Sequence, residues 1–264
     1  MAITIQEVID RVVAAVPGAP QRGSVDVFKA GDPKQPCRGV VTTFIATAAV
    51  IRQAAELGAN LIITHEPTFF DHREQTSWLG DDPVLAAKRR LIDGHGICIW
   101  RFHDYWHLHR PDGIMTGVVG ALGWERYLDE EDGRLVHLPE GTTLAGAARH
   151  VGDRLGDDAL RIVGPADQPC RNLGLQIGAP GGQTQVMALQ HPEVDTVLCG
   201  ETVEWQTCEY ARDALALGQT KGLIVVGHQP SEEAGMAYLV DWLGERVPGL
   251  SITHVDAGNP YSRV

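Results

Sequence analysis

The chain has 264 residues, 44% of them hydrophobic and 21% charged, with a formal net charge of −12. That length suits one large or two medium domains, and the composition is that of a folded globular protein, which excludes extended disorder. The excess of acid disfavours duplex nucleic acid and anionic membranes as partners, because both are bound through an excess of Lys and Arg. No apolar run is long enough to span a bilayer, and the amino terminus lacks a basic-then-apolar secretion pattern, so a cytoplasmic protein without a membrane partner is expected. Cys37, Cys98, Cys170, Cys199 and Cys208 form no C-x-x-C pair, which reads as reduced, mostly buried thiols.

In chain order, Thr4 and Glu7 make a capping-box pattern ahead of Ile5, Val8, Ile9, Val12, Val13 and Val16 at helical spacing; Pro17 and Gly18 stop that helix. Expected next are a short strand at Val25 to Phe28, a strand at Gly39 to Phe44, a helix at Thr47 to Leu57 and a strand at Leu61 to Thr64, which together hold a β-α-β unit. A helix from Pro83 to Asp93 ends at Gly94, a strand runs from Gly96 to Phe102, and Gly113 to Gly123 reads as a helix whose small faces permit close packing. From Trp124 the texture changes. A charged, hairpin-like stretch covers Glu125 to Leu138, followed by a helix at Thr143 to Leu155, strands at Arg161 to Gly164 and Leu173 to Ile177, and a short helix at Gln185 to His191. A strand at Val194 to Cys199, a helix at Trp205 to Leu217, a strand at Leu223, a helix at Glu232 to Leu243 and a strand at Leu250 to Val255 complete the chain. Strands and helices alternate throughout, so the fold class is α/β.

Two strand ends are written alike: L-I-I-T-H-E-P at 61 to 67 and L-I-V-V-G-H-Q-P at 223 to 230. This likeness suggests two related halves. Ligands bind at strand carboxyl ends in such sheets, and four of these ends carry imidazole or acid: His65 with Glu66, His103 with Asp104 and His107, Glu201, and His228 with Glu232. Imidazole and carboxylate donors without thiolate suit Zn, Mn, Fe or Co, and their number exceeds what one zinc site needs, so two divalent metal ions fit the inventory. Pro67 and Pro230 are expected to keep the backbone from running straight into a regular helix and so to aim the side chains outward. His72, His95, His137, His150, His191 and His254 read as ordinary structural or surface residues.

T-H-E-P at 64 to 67, H-D-Y-W-H at 103 to 107, C-G-E-T at 199 to 202 and G-H-Q-P-S-E at 227 to 232 resemble the motifs of the Nif-three-like family of dinuclear-metal hexameric proteins, often labelled GTP cyclohydrolase I type 2 homologues. The chain departs from that pattern where Glu66 replaces a second His, His107 replaces an Asp and Thr43 replaces an acid. The resemblance implies two similar α/β lobes with a metal site at strand carboxyl ends between them; with the change at Trp124, the first lobe is expected over 1–124 and 229–264 and the second over 125–228. It implies His65, Glu66, His107, His228 and Glu232 as metal ligands, with His103 and Glu201 as catalytic proton carriers or outer partners. It further implies a homohexamer. On this reading the protein is a metal-dependent hydrolase for a small nucleotide-like or phosphate or cyclic-amide substrate. The alternatives are a non-enzymatic metal-binding scaffold or metal-trafficking protein, and a relative whose ligand exchanges abolish metal binding.

Overall fold

The computed structural model describes residues 2–156 and 159–262, which form two compact units. The first comprises Met1–Gly117 and Gly235–Gly258, and the second Val118–Ala234 and Asn259–Val264. Among the described residues each unit contains one five-stranded sheet.

The first unit starts with helix α1 (Ile5–Ala14), whose capping box is complete: Thr4 accepts the Glu7 N–H, and Glu7 Oε2 accepts the Thr4 N–H at 2.7 Å. Strands β1 (Phe28–Ala30) and β2 (Val40–Thr43), helix α2 (Ala48–Glu56), strand β3 (Leu61–Thr64), helix α3 (Pro83–His95) and strand β4 (Cys98–Arg101) follow. Strands β2, β3 and β4 are parallel and in register, with Val41, Ile62 and Ile99 in one transverse row. Val50, Ile51 and Ala54 of α2 and Leu85 and Ile92 of α3 pack with that row. Burial on both faces is why these strands carry no alternating pattern.

Beyond β4 comes helix α4 (Asp104–Leu108), which the sequence reading did not anticipate. Five residues cannot sustain a helix by propensity. A remote carboxylate holds this one: Asp26 accepts the backbone N–H groups of His103 at 2.9 Å, Asp104 at 3.0 Å and Tyr105 at 2.7 Å, three of the donors a helix start leaves unmet. On its other side Trp106 is fully buried and donates to Gly235 O at 3.2 Å. Helix α5 (Gly113–Leu122) begins against the same indole. A Cβ at Gly113 would lie 2.1 Å from Trp106, so the small face expected there is required.

The second unit contains strand β5 (Leu135–His137), helix α6 (Leu144–Leu155), strands β6 (Arg161–Val163) and β7 (Asn172–Gln176), helix α7 (Gly182–Gln190), strand β8 (Thr196–Cys199), helix α8 (Glu209–Ala216) and strand β9 (Gly222–Val225). Helix α9 (His228–Arg246) and strand β10 (Ile252–His254) close the chain, and the unit boundaries fall inside α5 and α9. The sheet orders are β1-β4-β3-β2-β10 and β5-β7-β8-β9-β6. Reversing the first aligns α1-β1-β2-α2-β3-α3-β4 with α6-β6-β7-α7-β8-α8-β9, including the antiparallel edges β1 beside β4 and β6 beside β9.

Gln35-Pro36-Cys37-Arg38 and Gln168-Pro169-Cys170-Arg171 occupy equivalent places in this repeat. Thr4 bridges Pro36 as Thr143 bridges Pro169. Cys37 N donates to Ile3 O at 2.8 Å and Cys170 N to Thr142 O at 2.9 Å. The two related halves are therefore real, but the likeness of 61–67 to 223–230 does not mark them. In topology β3 answers to β8, and β9 answers to β4.

Other expectations shift for local reasons. The first strand lies at Phe28–Ala30, where it pairs with β4, instead of at 25–28. Helix α3 passes Gly94 and stops at Gly96, which takes the left-handed conformation at φ 62°. The helix expected from Trp205 opens with a π-helical turn at Glu204–Cys208 before α8. Helix α9 begins at His228, so Pro230 does not delay it; in the first turn a missing N–H breaks no helical bond.

Three substitutions test this account. Gly113→Val should destabilise the protein by about 2–3 kcal/mol through overpacking against Trp106, whereas Gly133→Ala, with no atom within 4 Å of the new Cβ, should stay within about 0.5 kcal/mol of wild type in urea unfolding. Asp26→Ala strips three backbone donors of their acceptor and should cost about 1–3 kcal/mol; an unchanged unfolding midpoint would contradict the capping role.

Candidate metal centre

In the first unit, β3 ends in His65 and Glu66, and β4 leads through Phe102 to His103 and, one helical turn on, His107. The three imidazoles meet. Ring centroids are 4.6 Å apart for His65 and His103, 5.0 Å for His65 and His107, and 5.1 Å for His103 and His107. One ligand nitrogen from each lies within 4.8 Å of the other two.

Each ring is anchored at Nδ1. His65 donates to Phe102 O at 3.1 Å, His103 to Asp104 Oδ1 at 2.9 Å, and His107 to Asp112 Oδ2 at 3.0 Å. A carbonyl or carboxylate on Nδ1 selects the tautomer with its lone pair on Nε2, the outer-partner arrangement of metal-binding histidines. Burial and the neighbouring rings hold His65 well below the usual imidazole pKa, and burial brings His103 down to about 4, so both imidazoles are neutral at pH 7.

Glu66 sits differently. Its Oε2 is 3.3 Å from Nη2 of Arg101 and its Oε1 is 3.7 Å from His103 Nε2. Arg101 is fully buried and also donates through Nε to His65 O at 2.8 Å and through Nη1 to His72 O at 2.7 Å. Burial lowers its pKa, with Glu66 the first of the acids that oppose the shift.

In the second unit, β8 ends in Gly200 and Glu201, and His228 and Glu232 share the first turns of α9. His228 Nδ1 is 2.9 Å from Glu201 Oε1 and its Nε2 is 3.1 Å from Glu232 Oε2. A neutral imidazole has one N–H, so a carboxylate on both nitrogens calls for a second proton or another cation. Gly178, after β7, makes room for this group: its φ is 68° and a Cβ there would lie 2.1 Å from Glu232 Oε1.

The structure thus brings His65, Glu66, His103 and His107 together in one unit, and Glu201, His228 and Glu232 together in the other. Sequence reading missed Asp26, Arg101, Asp112 and His72. Arg101 was visible as a charged residue inside an apolar strand, which is a flag in itself. Asp112 lies five residues beyond His107, and nothing in sequence marks it as that ring's acceptor. His72, read as ordinary, has its ring 5.8 Å from that of His103. His137 and His150 are bonded away from the sites, to Asn172 and Leu122 O. All five cysteines are free, four of them buried. No helix among the described residues is long and apolar enough to cross a membrane.

Comparison with known proteins agrees with this architecture. A Pseudomonas aeruginosa protein named GTP cyclohydrolase 1 type 2 homolog is 29% identical over 235 residues, covering 84% of this chain and 85% of its own. A protein of the same name from Escherichia coli K12 is 26% identical over 235 residues, covering 86% and 87%. Among solved structures, a Bacillus cereus protein related to NIF3 superposes with a TM-score of 0.81 at 16% identity over 100% of both chains. A Staphylococcus aureus hypothetical protein gives 0.79 at 16% identity, again over 100% of both. The model of the family Duf34/NIF3 (NGG1p interacting factor 3) matches residues 22–260, nearly the whole chain, which therefore belongs to the Duf34/NIF3 family.

Proposed function

We propose that the protein is a metal-dependent hydrolase of a small anionic substrate, nucleotide-like or a phosphate or cyclic amide, using two divalent ions per chain. The observation that carries this reading is the set of three imidazoles whose ligand nitrogens lie within 4.8 Å of one another. Their Nδ1 atoms are committed to Phe102 O, Asp104 and Asp112. The ligands are His65, Glu66 and His107 in the first unit and His228 and Glu232 in the second, with His103 as a proton carrier or outer partner. Bound there, a divalent ion supplies Lewis acidity toward a substrate oxygen and lowers the pKa of water.

The chain's own residues would do the rest. Glu201, largely exposed and 2.9 Å from His228 Nδ1, accepts and returns a proton at Oε1. Asp104 and Asp112 keep the rings of His103 and His107 in one tautomer and orientation. The names of the Pseudomonas and Escherichia relatives support a cyclohydrolase-like substrate class. The homohexamer implied by the resemblance is part of the proposal, and sedimentation should find particles of six chains.

Elemental analysis of protein purified without chelators should give close to two first-row ions per chain, with fewer in His65→Ala and in His228→Ala. Metal-replete protein, screened against nucleotides, phosphodiesters and pterin precursors, should turn over one class, and Glu232→Ala should lose that turnover by at least about 100-fold. A protein that purifies metal-free, or whose turnover survives removal of all metal, would overturn the reading; bound metal without turnover would favour a scaffold.

A further inference from the structure

We infer that His72 is a substrate-binding residue: from the loop after β3, its imidazole donates a hydrogen bond to an anionic oxygen of a substrate bound in the first unit. This deepens the proposed hydrolase reading and rests on it.

Place is the first support. The ring of His72 meets that of His103 edge-on, at 5.8 Å between centroids and an interplanar angle of 84°. His65 is fully buried, the side chains of His103 and His107 are 23% and 31% exposed, and His72 is an exposed residue. The four imidazoles therefore run from core to solvent with His72 outermost, where a ligand approaching the group from water meets it. Among the described residues His72 belongs to neither group of candidate metal ligands whose atoms lie within 4.8 Å of one another.

Hydrogen bonding is the second. The rings of His65, His103 and His107 are each committed at Nδ1. Among the described residues the ring of His72 makes no hydrogen bond, although its backbone carbonyl does. An imidazole carries an N–H in either protonation state, so this one has a donor to offer.

The mounting of that ring is the third. His72 O accepts from Nη1 of the fully buried Arg101 at 2.7 Å. Asp71 Oδ1 accepts the N–H groups of Arg73 at 2.9 Å and Gln75 at 2.8 Å. Glu74 accepts those of Thr68 and Phe69, both at 2.7 Å, and the buried Lys88 donates to Thr68 O at 2.5 Å. Phe70 and Glu74, on either side of His72, are held at φ 66° and 58°, left-handed values that residues other than Gly keep only where their surroundings enforce them. Backbone held in this way gathers at ligand-binding segments. A fixed mount under an unbonded ring suits a binding residue, because little freedom is lost when the ligand arrives.

Inorganic phosphate titrated calorimetrically into the zinc-loaded full chain tests this. His72→Ala should weaken phosphate by about tenfold or more, the loss expected for a hydrogen bond to a charged group, with zinc content and the urea unfolding midpoint unchanged. His72→Gln, which keeps an N–H at the end of the side chain, should recover to within about threefold of wild type. Wild-type phosphate affinity in His72→Ala would overturn the inference, and so would loss of zinc from that variant, which would make His72 a metal ligand. Zinc-loaded wild type that binds no phosphate would overturn it too and leave the metal site standing. A wild-type chain that takes up no zinc would instead overturn the proposed function, a result that elemental analysis reads before any phosphate is added.

Discussion

A cation with no access to water sits at the carboxyl end of β4, and the first unit's chemistry is arranged around satisfying it. Desolvating a guanidinium costs several kcal/mol, which only a close set of acceptors recovers. Arg101 finds three: the carbonyl of His65, the carbonyl of His72 and the carboxylate of Glu66. Two of these lie on the segment that follows β3 and one on the loop beyond it. One side chain thereby fixes the backbone of the first imidazole, the carboxylate beside it and the loop that carries a further imidazole. Asp26 gives α4 a comparable anchor through three backbone N–H groups. Preorganisation of this kind is what metal binding needs, because ligands already held in place lose little entropy when an ion arrives.

The two sheets present one architecture with two chemistries. Equivalent strand ends carry His65-Glu66 in one half and Gly200-Glu201 in the other, so the backbone course is shared while the donor is not. What the halves share beyond the strands is the joint before β2 and β7, where Gln-Pro-Cys-Arg closes against the start of α1 or α6. That tetrapeptide is the sequence trace of the repeat, and it ties a helix start to the approach to an interior strand.

The buried parallel strands were legible because continuous runs such as Leu61 to Thr64 and Val194 to Cys199 leave few other readings. The capping box at Thr4 was legible for a similar reason, since its partners are three residues apart. Short elements held by distant groups were not. Helix α4 exists because of a carboxylate 78 positions from Asp104 in the chain, and β1 because of its pairing with β4. At the site, residue types and strand ends could be read, so the imidazoles were found. Pairings could not: that Glu66 meets a guanidinium depends on Arg101, 35 residues away in sequence.

The likeness of T-H-E-P to G-H-Q-P misled for the same reason, since strand ends that read alike need not be neighbours in the same layer. A His after β3 joins a strand in the middle of its sheet, between β4 and β2, while His228 follows β9, between β8 and the antiparallel edge β6. Position in the sheet decides which loops flank a side chain and which charges face it. His65 accordingly meets imidazoles and a carbonyl, and His228 meets two carboxylates. The imidazoles of the first unit therefore stand beside one carboxylate that is paired with a guanidinium, while the imidazole of the second stands between two carboxylates.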